Sequence, residues 1–189
     1  WGLAIVDECM EVQGHLGWKW WKSSKNYKTG VTDTNRKQLQ LECIDLLHFM
    51  LSMSIQTGKP PRVMVPLGYN IDGCLTSIMA AALNGECDWW AWRTLCHHFG
   101  ITSEEVVKVY TGKFALNTFR QEHGYNEGTY DKFWLVPEIS ALFQEDNWWL
   151  EKVMAELDFQ GKPHTVAAIT AGLKNYYTHA RNLSGGTGQ

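Results

Sequence analysis

The chain has 189 residues, a formal net charge of −3 and 44% apolar residues, with 17 basic against 20 acidic side chains. That balance, without any block of like charge, argues against a nucleic-acid-binding surface, and no apolar run approaches the roughly 18 residues of a transmembrane helix. The five cysteines (9, 43, 74, 87 and 96) are odd in number and lack zinc-ligand spacing, so they read as reduced, buried thiols of an intracellular protein, in the cytoplasm, the nucleus or a host cell's cytoplasm.

The chain opens on Trp1 as if already inside a helix, with Asp7 and Glu8 near its start and no basic stretch of the kind that leads a signal peptide. The length suits one domain or one domain with a helical appendage. The load of 10 Trp, 7 Tyr and 7 Phe suggests that some aromatic rings line a site or an interface as well as a core.

Taken in chain order, the first segment, Trp1 to Trp21, sets Leu3, Val6 and Met10 against a polar stripe of Glu8, Glu11 and His15, which predicts an amphipathic helix with an acidic face. Lys22 to Thr34 reads as a loop. A second helix is expected over Asn35 to Gln56, with Glu42 and Asp45 on one stripe. The proline-containing stretch Gly58 to Asn70 reads as irregular. Asp72 is a candidate cap for a helix to Leu83, and another helix is expected from Glu86 to His98 before Gly100. Thr102-x-x-Glu105 is a capping-box pattern that opens a helix to His123, stopped by Gly124. After a Gly/Tyr/Asn-rich loop come a short helix behind Pro137 and helices over Glu145–Leu157 and Val166–Arg181. The tail Ser184 to Gln189 reads as disordered. With little strand alternation, the reading is all-α: a helical bundle with a four-helix catalytic core.

Two acidic pairs carry the chemistry. Glu8-x-x-Glu11 and Glu42-x-x-Asp45 each place two carboxylates on one helix face about one turn apart. Counting from the connecting loop, Glu8 lies about 20 Å and Asp45 about 15 Å along their helices, so antiparallel packing brings the pairs to matching heights. Converging carboxylates repel unless cations lie between them, and oxygen-only ligands suit Mg²⁺ with phosphate oxygens.

A second set, Lys113, Asn117 and Arg120, steps by four and three residues as one polar stripe. The Gly-rich loop behind it can fold Tyr130 and Lys132 over a ligand, so together with the acids it reads as a clamp for a polyphosphate. The turn Trp18-Lys19-Trp20-Trp21-Lys22 crowds three indoles, at least one of which should face a pocket or interface. His48 and Phe49 border the acidic face, where an aromatic ring could stack on a base. Cys96-His97-His98 resembles a metal cluster but ends a helix without matching partners.

Three blocks, ECMEVQGHLGWKWWK (Glu8–Lys22), ECIDLLHF (Glu42–Phe49) and FGITSEEVVKVYTGKFALNTFRQEHGYNEGTYDK (Phe99–Lys132), together resemble the dimeric, all-α dUTPase family, which includes phage dCTPase-dUTPases and belongs with all-α NTP pyrophosphatases. The resemblance implies hydrolysis of dUTP, and of dUDP, to dUMP. It implies two or three Mg²⁺ ions, replaceable by Mn²⁺, on Glu8, Glu11, Glu42 and Asp45, with Glu11 as general base. It implies phosphate binding by Lys113, Asn117, Arg120, Tyr130 and Lys132, and a base and sugar pocket of Trp21, Lys22, His48 and Phe49. A homodimer whose partner subunit completes the site is implied as well, with no nucleic-acid or membrane partner.

On this reading residues 1–134 form the catalytic core, 135–183 a helical extension and 184–189 a tail. The family's usual upstream helix, which reads the base edge, is not seen in this chain, and Thr57–Leu95 and the part after Trp134 match poorly. The alternatives are a dCTPase-dUTPase, a broader nucleotide pyrophosphatase, and a non-catalytic helical dimer that keeps the acids as a solvated face.

Overall fold

The computed structural model describes residues 1–19, 21, 30–61, 68–136, 139 and 142–185, the last three by backbone alone. These contain α1 (Gly2–His15), α2 (Arg36–Thr57), α3 (Ile71–Leu83), α4 (Trp89–Phe99), α5 (Ser103–Glu122), β1 (Phe133–Leu135), β2 (Phe143–Glu145), α6 (Asp146–Phe159) and α7 (Val166–Gly185). Among the described residues the chain is all-α apart from one small sheet. No helix of the described residues is long and apolar enough to cross a membrane. The chain divides into two compact units, Trp1–Val106 and Val107–Gln189. The division falls in the first turn of α5, whereas the sequence reading ends a catalytic core at residue 134.

In the first unit α1 and α4 each pack against both α2 and α3, a closed four-helix arrangement. Ile5, Cys9 and Val12 of α1 and Leu39, Cys43, Leu46 and Met50 of α2 recur at three- and four-residue steps, and all are at most 1% exposed. That spacing is why these segments are helical: it gathers the apolar side chains into one stripe. Burial on α2 also takes in Leu41, Glu42, Ile44 and Leu47, so this helix is enclosed on most of its circumference.

Polar groups tie the bundle as well. The Trp92 indole N–H donates to the Cys43 carbonyl at 2.9 Å, and Gln40 Nε2 and Arg36 Nη1 reach the Phe99 carbonyl at the end of α4, at 3.0 and 3.5 Å. The second pair satisfies a carbonyl that the helix end cannot.

All five cysteines are free thiols, and Cys43 and Cys96 face each other at 3.7 Å between sulfurs. Burial, with the neighbouring Glu8 charge, pushes the Cys9 thiol up to about 12, and burial with Asp88 pushes Cys74 up to about 11. Burial raises Cys43 and Cys87 too. Such thiols stay protonated in the folded chain while the unfolded chain ionises near its ordinary 9.0. The folded state therefore holds more protons above that pH, and stability falls as pH rises from about 9 towards 12. The urea midpoint should drop across that window, and Cys9→Ala should remove part of the slope. A flat profile in the wild-type chain would contradict this.

The second unit is built around Ala115, Leu116 and Phe119 of α5, Trp134 of β1, Trp149, Leu150 and Val153 of α6, and Ile169, Leu173 and Tyr177 of α7. β1 and β2 are antiparallel, with Phe133 opposite Glu145, Trp134 opposite Gln144 and Leu135 opposite Phe143. Trp134 points inward at 2% exposure, while Phe133 and Phe143 are exposed.

Several expectations need correction. α1 stops at His15 instead of reaching Trp21, because Gly17 takes φ +70° and breaks the helical path. Asn70, not Asp72, caps α3, its side chain accepting from the Gly73 amide at 2.8 Å. α4 begins at Trp89, since Asp88 accepts from the amides of Trp90 and Ala91 and marks the boundary.

The hairpin β1–β2 stands where no strand was expected. The short helix behind Pro137 falls largely outside the described residues, although the described Ile139 is not helical. α7 continues to Gly185, so the first two residues of the expected tail are helical, and the other four lie outside the described residues. The capping box is present: Thr102 N–H donates to Glu105 Oε2 at 2.8 Å, and Glu105 N–H to Thr102 Oγ1 at 3.2 Å.

Candidate metal and phosphate site

α1 and α2 run antiparallel, as three contacts along their length show. The Trp1 and Phe49 rings lie 6.0 Å apart, His15 Nε2 is 3.3 Å from Glu42 Oε1, and Asn35 Nδ2 donates to the His15 carbonyl at 3.1 Å. Asn35 also donates to the Gly30 carbonyl at 2.8 Å, and its own Oδ1 accepts from the Thr32 amide at 2.7 Å. One side chain thus fixes the end of α1 to the start of α2 and sets the register between them.

That register brings Glu8, Glu42 and Asp45 together, with one oxygen from each lying within 4.8 Å of the others. Glu42 is only 4% exposed and the other two are half-buried. Glu11, one turn further along α1, is exposed and lies outside that group. Unit charges about 4 Å apart repel by about 1 kcal/mol in water and about 4 at an effective dielectric of about 20. A site of oxygen donors alone, partly shielded from water, fits a hard divalent cation and offers nothing for a soft one.

Two side chains not among the expected site residues steady the cluster. Gln38 Nε2 donates to Glu42 Oε1, the oxygen that His15 also meets, so both fix the rotation of that carboxylate. The signal for His15 was in the sequence, on the same stripe as Glu8 and Glu11. His48 Nδ1 lies 4.0 Å from Asp45 Oδ1 and 3.1 Å from the Ile44 carbonyl, against the acidic face as expected. Phe49 is half-buried and meets Trp1. Trp21 is 54% exposed and meets Trp18 edge-on at 5.1 Å. Lys22, also expected in the base pocket, lies outside the described residues, as does Trp20.

The basic stripe belongs to the second unit and is gathered around a residue that no motif pointed to. Asp146, 0% exposed, receives Arg120 Nε at 2.7 Å and Nη2 at 2.6 Å in a two-pronged ion pair, and the Tyr130 hydroxyl at 2.9 Å. Arg120 Nη1 donates to Asn117 Oδ1 at 3.1 Å, and Lys113 Nζ to Asn147 Oδ1 at 3.1 Å.

Lys113 is buried at 3% exposure, an unusual place for an ammonium. Burial and the Asp146 charge hold the Tyr130 phenol well above its usual range, so it serves as a neutral donor. Lys132 lies over the Tyr125 ring at 5.5 Å. The loop that returns Tyr130 depends on Gly124, whose φ of +94° suits glycine and whose missing Cβ would sit 2.0 Å from Thr129 Oγ1.

No curated protein matches the chain. Residues 1–82, the stretch that holds Glu8, Glu11, Glu42 and Asp45, match the family model for dUTPase.

Proposed function

We propose that the protein is a Mg²⁺-dependent dUTP diphosphatase that converts dUTP to dUMP and pyrophosphate, and dUDP to dUMP and phosphate, keeping dUTP out of DNA. The observation that carries this reading is the convergence of Glu8, Glu42 and Asp45 inside the segment that matches the dUTPase family. On this reading the three carboxylates hold Mg²⁺, which when bound neutralises phosphate charge and lowers the pKa of a nearby water. His15 and Gln38 keep the Glu42 carboxylate turned for that task. Glu11, exposed one turn along the same helix, contributes a further ligand and takes the proton from the attacking water.

Lys113, Asn117, Arg120, Tyr130 and Lys132 bind the phosphate chain and stabilise charge on the leaving group. Trp21, Lys22, His48 and Phe49 hold the base and sugar. The working form is a homodimer whose partner subunit completes the site.

The test is product formation from dUTP, dUDP, dCTP, dTTP and UTP with Mg²⁺, Mn²⁺ or EDTA. The expected result is dUMP and pyrophosphate from dUTP with either metal and none with EDTA. Equal turnover of dCTP would replace the narrow specificity with that of a dCTPase-dUTPase, and metal-independent turnover would remove the assigned role of the acids.

A further inference from the structure

We propose that Asp146 and Asn147, the first two residues of α6, are positioning residues that orient the α5 stripe towards a phosphate chain. The inference rests on the phosphate-binding role proposed above for that stripe. Asp146 takes the Nε and Nη2 side of Arg120 together with the Tyr130 hydroxyl, and Asn147 takes Lys113 Nζ. Two members of the stripe, Lys113 and Arg120, and Tyr130 of the following loop therefore meet one dipeptide, and Asn117 joins through Arg120.

A guanidinium carries five N–H donors in one plane. The described contacts use three of them, two on Asp146 and one on Asn117, which leaves two on the Nη atoms. Because the fork on Asp146 fixes the plane, those two donors have a fixed direction and suit the paired oxygens of a phosphate. A buried ion pair contributes little to stability by itself, and its worth here lies in orientation.

Asp146 is itself held in place. Its backbone N–H donates to the Lys132 carbonyl at 2.8 Å, which ties the α6 start to the segment that carries Tyr130 and Lys132. One position therefore sets the backbone of one half of the clamp and the side chains of the other.

The experiment uses the full chain with inorganic triphosphate as probe, by calorimetry, beside kcat and KM for dUTP and the melting temperature. Asn147→Ala removes one acceptor from a half-buried position, and Asp146→Asn removes the charge while keeping an acceptor. The expected result is triphosphate Kd and dUTP KM raised about tenfold in Asn147→Ala and more in Asp146→Asn. kcat should change less, and Asn147→Asp should restore Kd and KM.

Should both variants melt lower yet bind triphosphate as the wild type does, the dipeptide is merely structural and the proposal falls while the assigned activity stands. Should the wild type bind no triphosphate, the proposal falls together with the phosphate role of the stripe. Binding that weakens in the variants of a chain unable to hydrolyse dUTP supports the positioning role and overturns the hydrolase reading.

Discussion

Glu42→Gln should lower Mg²⁺-dependent dUTP hydrolysis by about 10²- to 10³-fold, while the metal-free protein keeps or gains thermal stability. The two signs differ for one reason. In the metal-free chain Glu42 is held near Glu8 and Asp45, with one oxygen of each within 4.8 Å, and neutralising it relieves two repulsions. The amide of the variant still offers an oxygen to Gln38. The lost attraction to His15 is small because that side chain is 37% exposed. With Mg²⁺ present the wild-type melting temperature should rise through binding to the folded state, and the variant should show less of that rise. Melting curves with and without Mg²⁺, run beside the activity assay, check both halves. Activity within tenfold of wild type, or an equal rise with metal, would remove Glu42 from the ligand set.

The largest stability effect should come from Phe119→Ala, which is expected to weaken the second unit by about 3–5 kcal/mol. Phe119 is fully buried and touches four rings: His123 stacked at 3.9 Å, Tyr177 edge-on at 5.4 Å, Trp134 at 5.8 Å and Tyr130 at 6.4 Å. Alanine would leave a void lined by rigid rings, which cannot collapse onto one another without leaving their own contacts. The same rings position the Tyr130 hydroxyl on Asp146, so the variant should also raise KM for dUTP. Urea unfolding read by near-ultraviolet circular dichroism checks the loss of stability, with Trp134, Trp149 and Tyr177 of the cluster contributing beside the Trp89–Trp92 pair of the first unit. A loss below about 1 kcal/mol would show that the cluster repacks freely.

The acids show where sequence reasoning reaches furthest. Two carboxylates three residues apart must share a helix face, so each acidic pair was legible; the count that matched their heights took the first helix to Trp21, whereas α1 ends at His15, and the Asn35 contacts set the register instead. The Thr102–Glu105 capping box was equally legible, because its partners lie within one turn. Reading failed where the deciding interaction was weak in sequence or distant along the chain. The apolar pattern carried α1 on to Trp21, although Gly17 can take a left-handed conformation that ends the helix. Strands of three residues are too short for alternation to register, so the hairpin went unseen.

The sequence by itself determined the helical stripes, the acidic pairs and the residues of the basic stripe, because each follows from a spacing of three or four along one helix. The tertiary structure alone decided which carboxylates converge: Glu8, Glu42 and Asp45 do, and Glu11 stands outside. It also decided that Arg120 and Tyr130 meet on Asp146, whose position at the start of α6 reads in sequence as an ordinary first-turn acid. Their partner lies 26 residues beyond Arg120 and 16 beyond Tyr130, and only the packing of the aromatic cluster closes that distance.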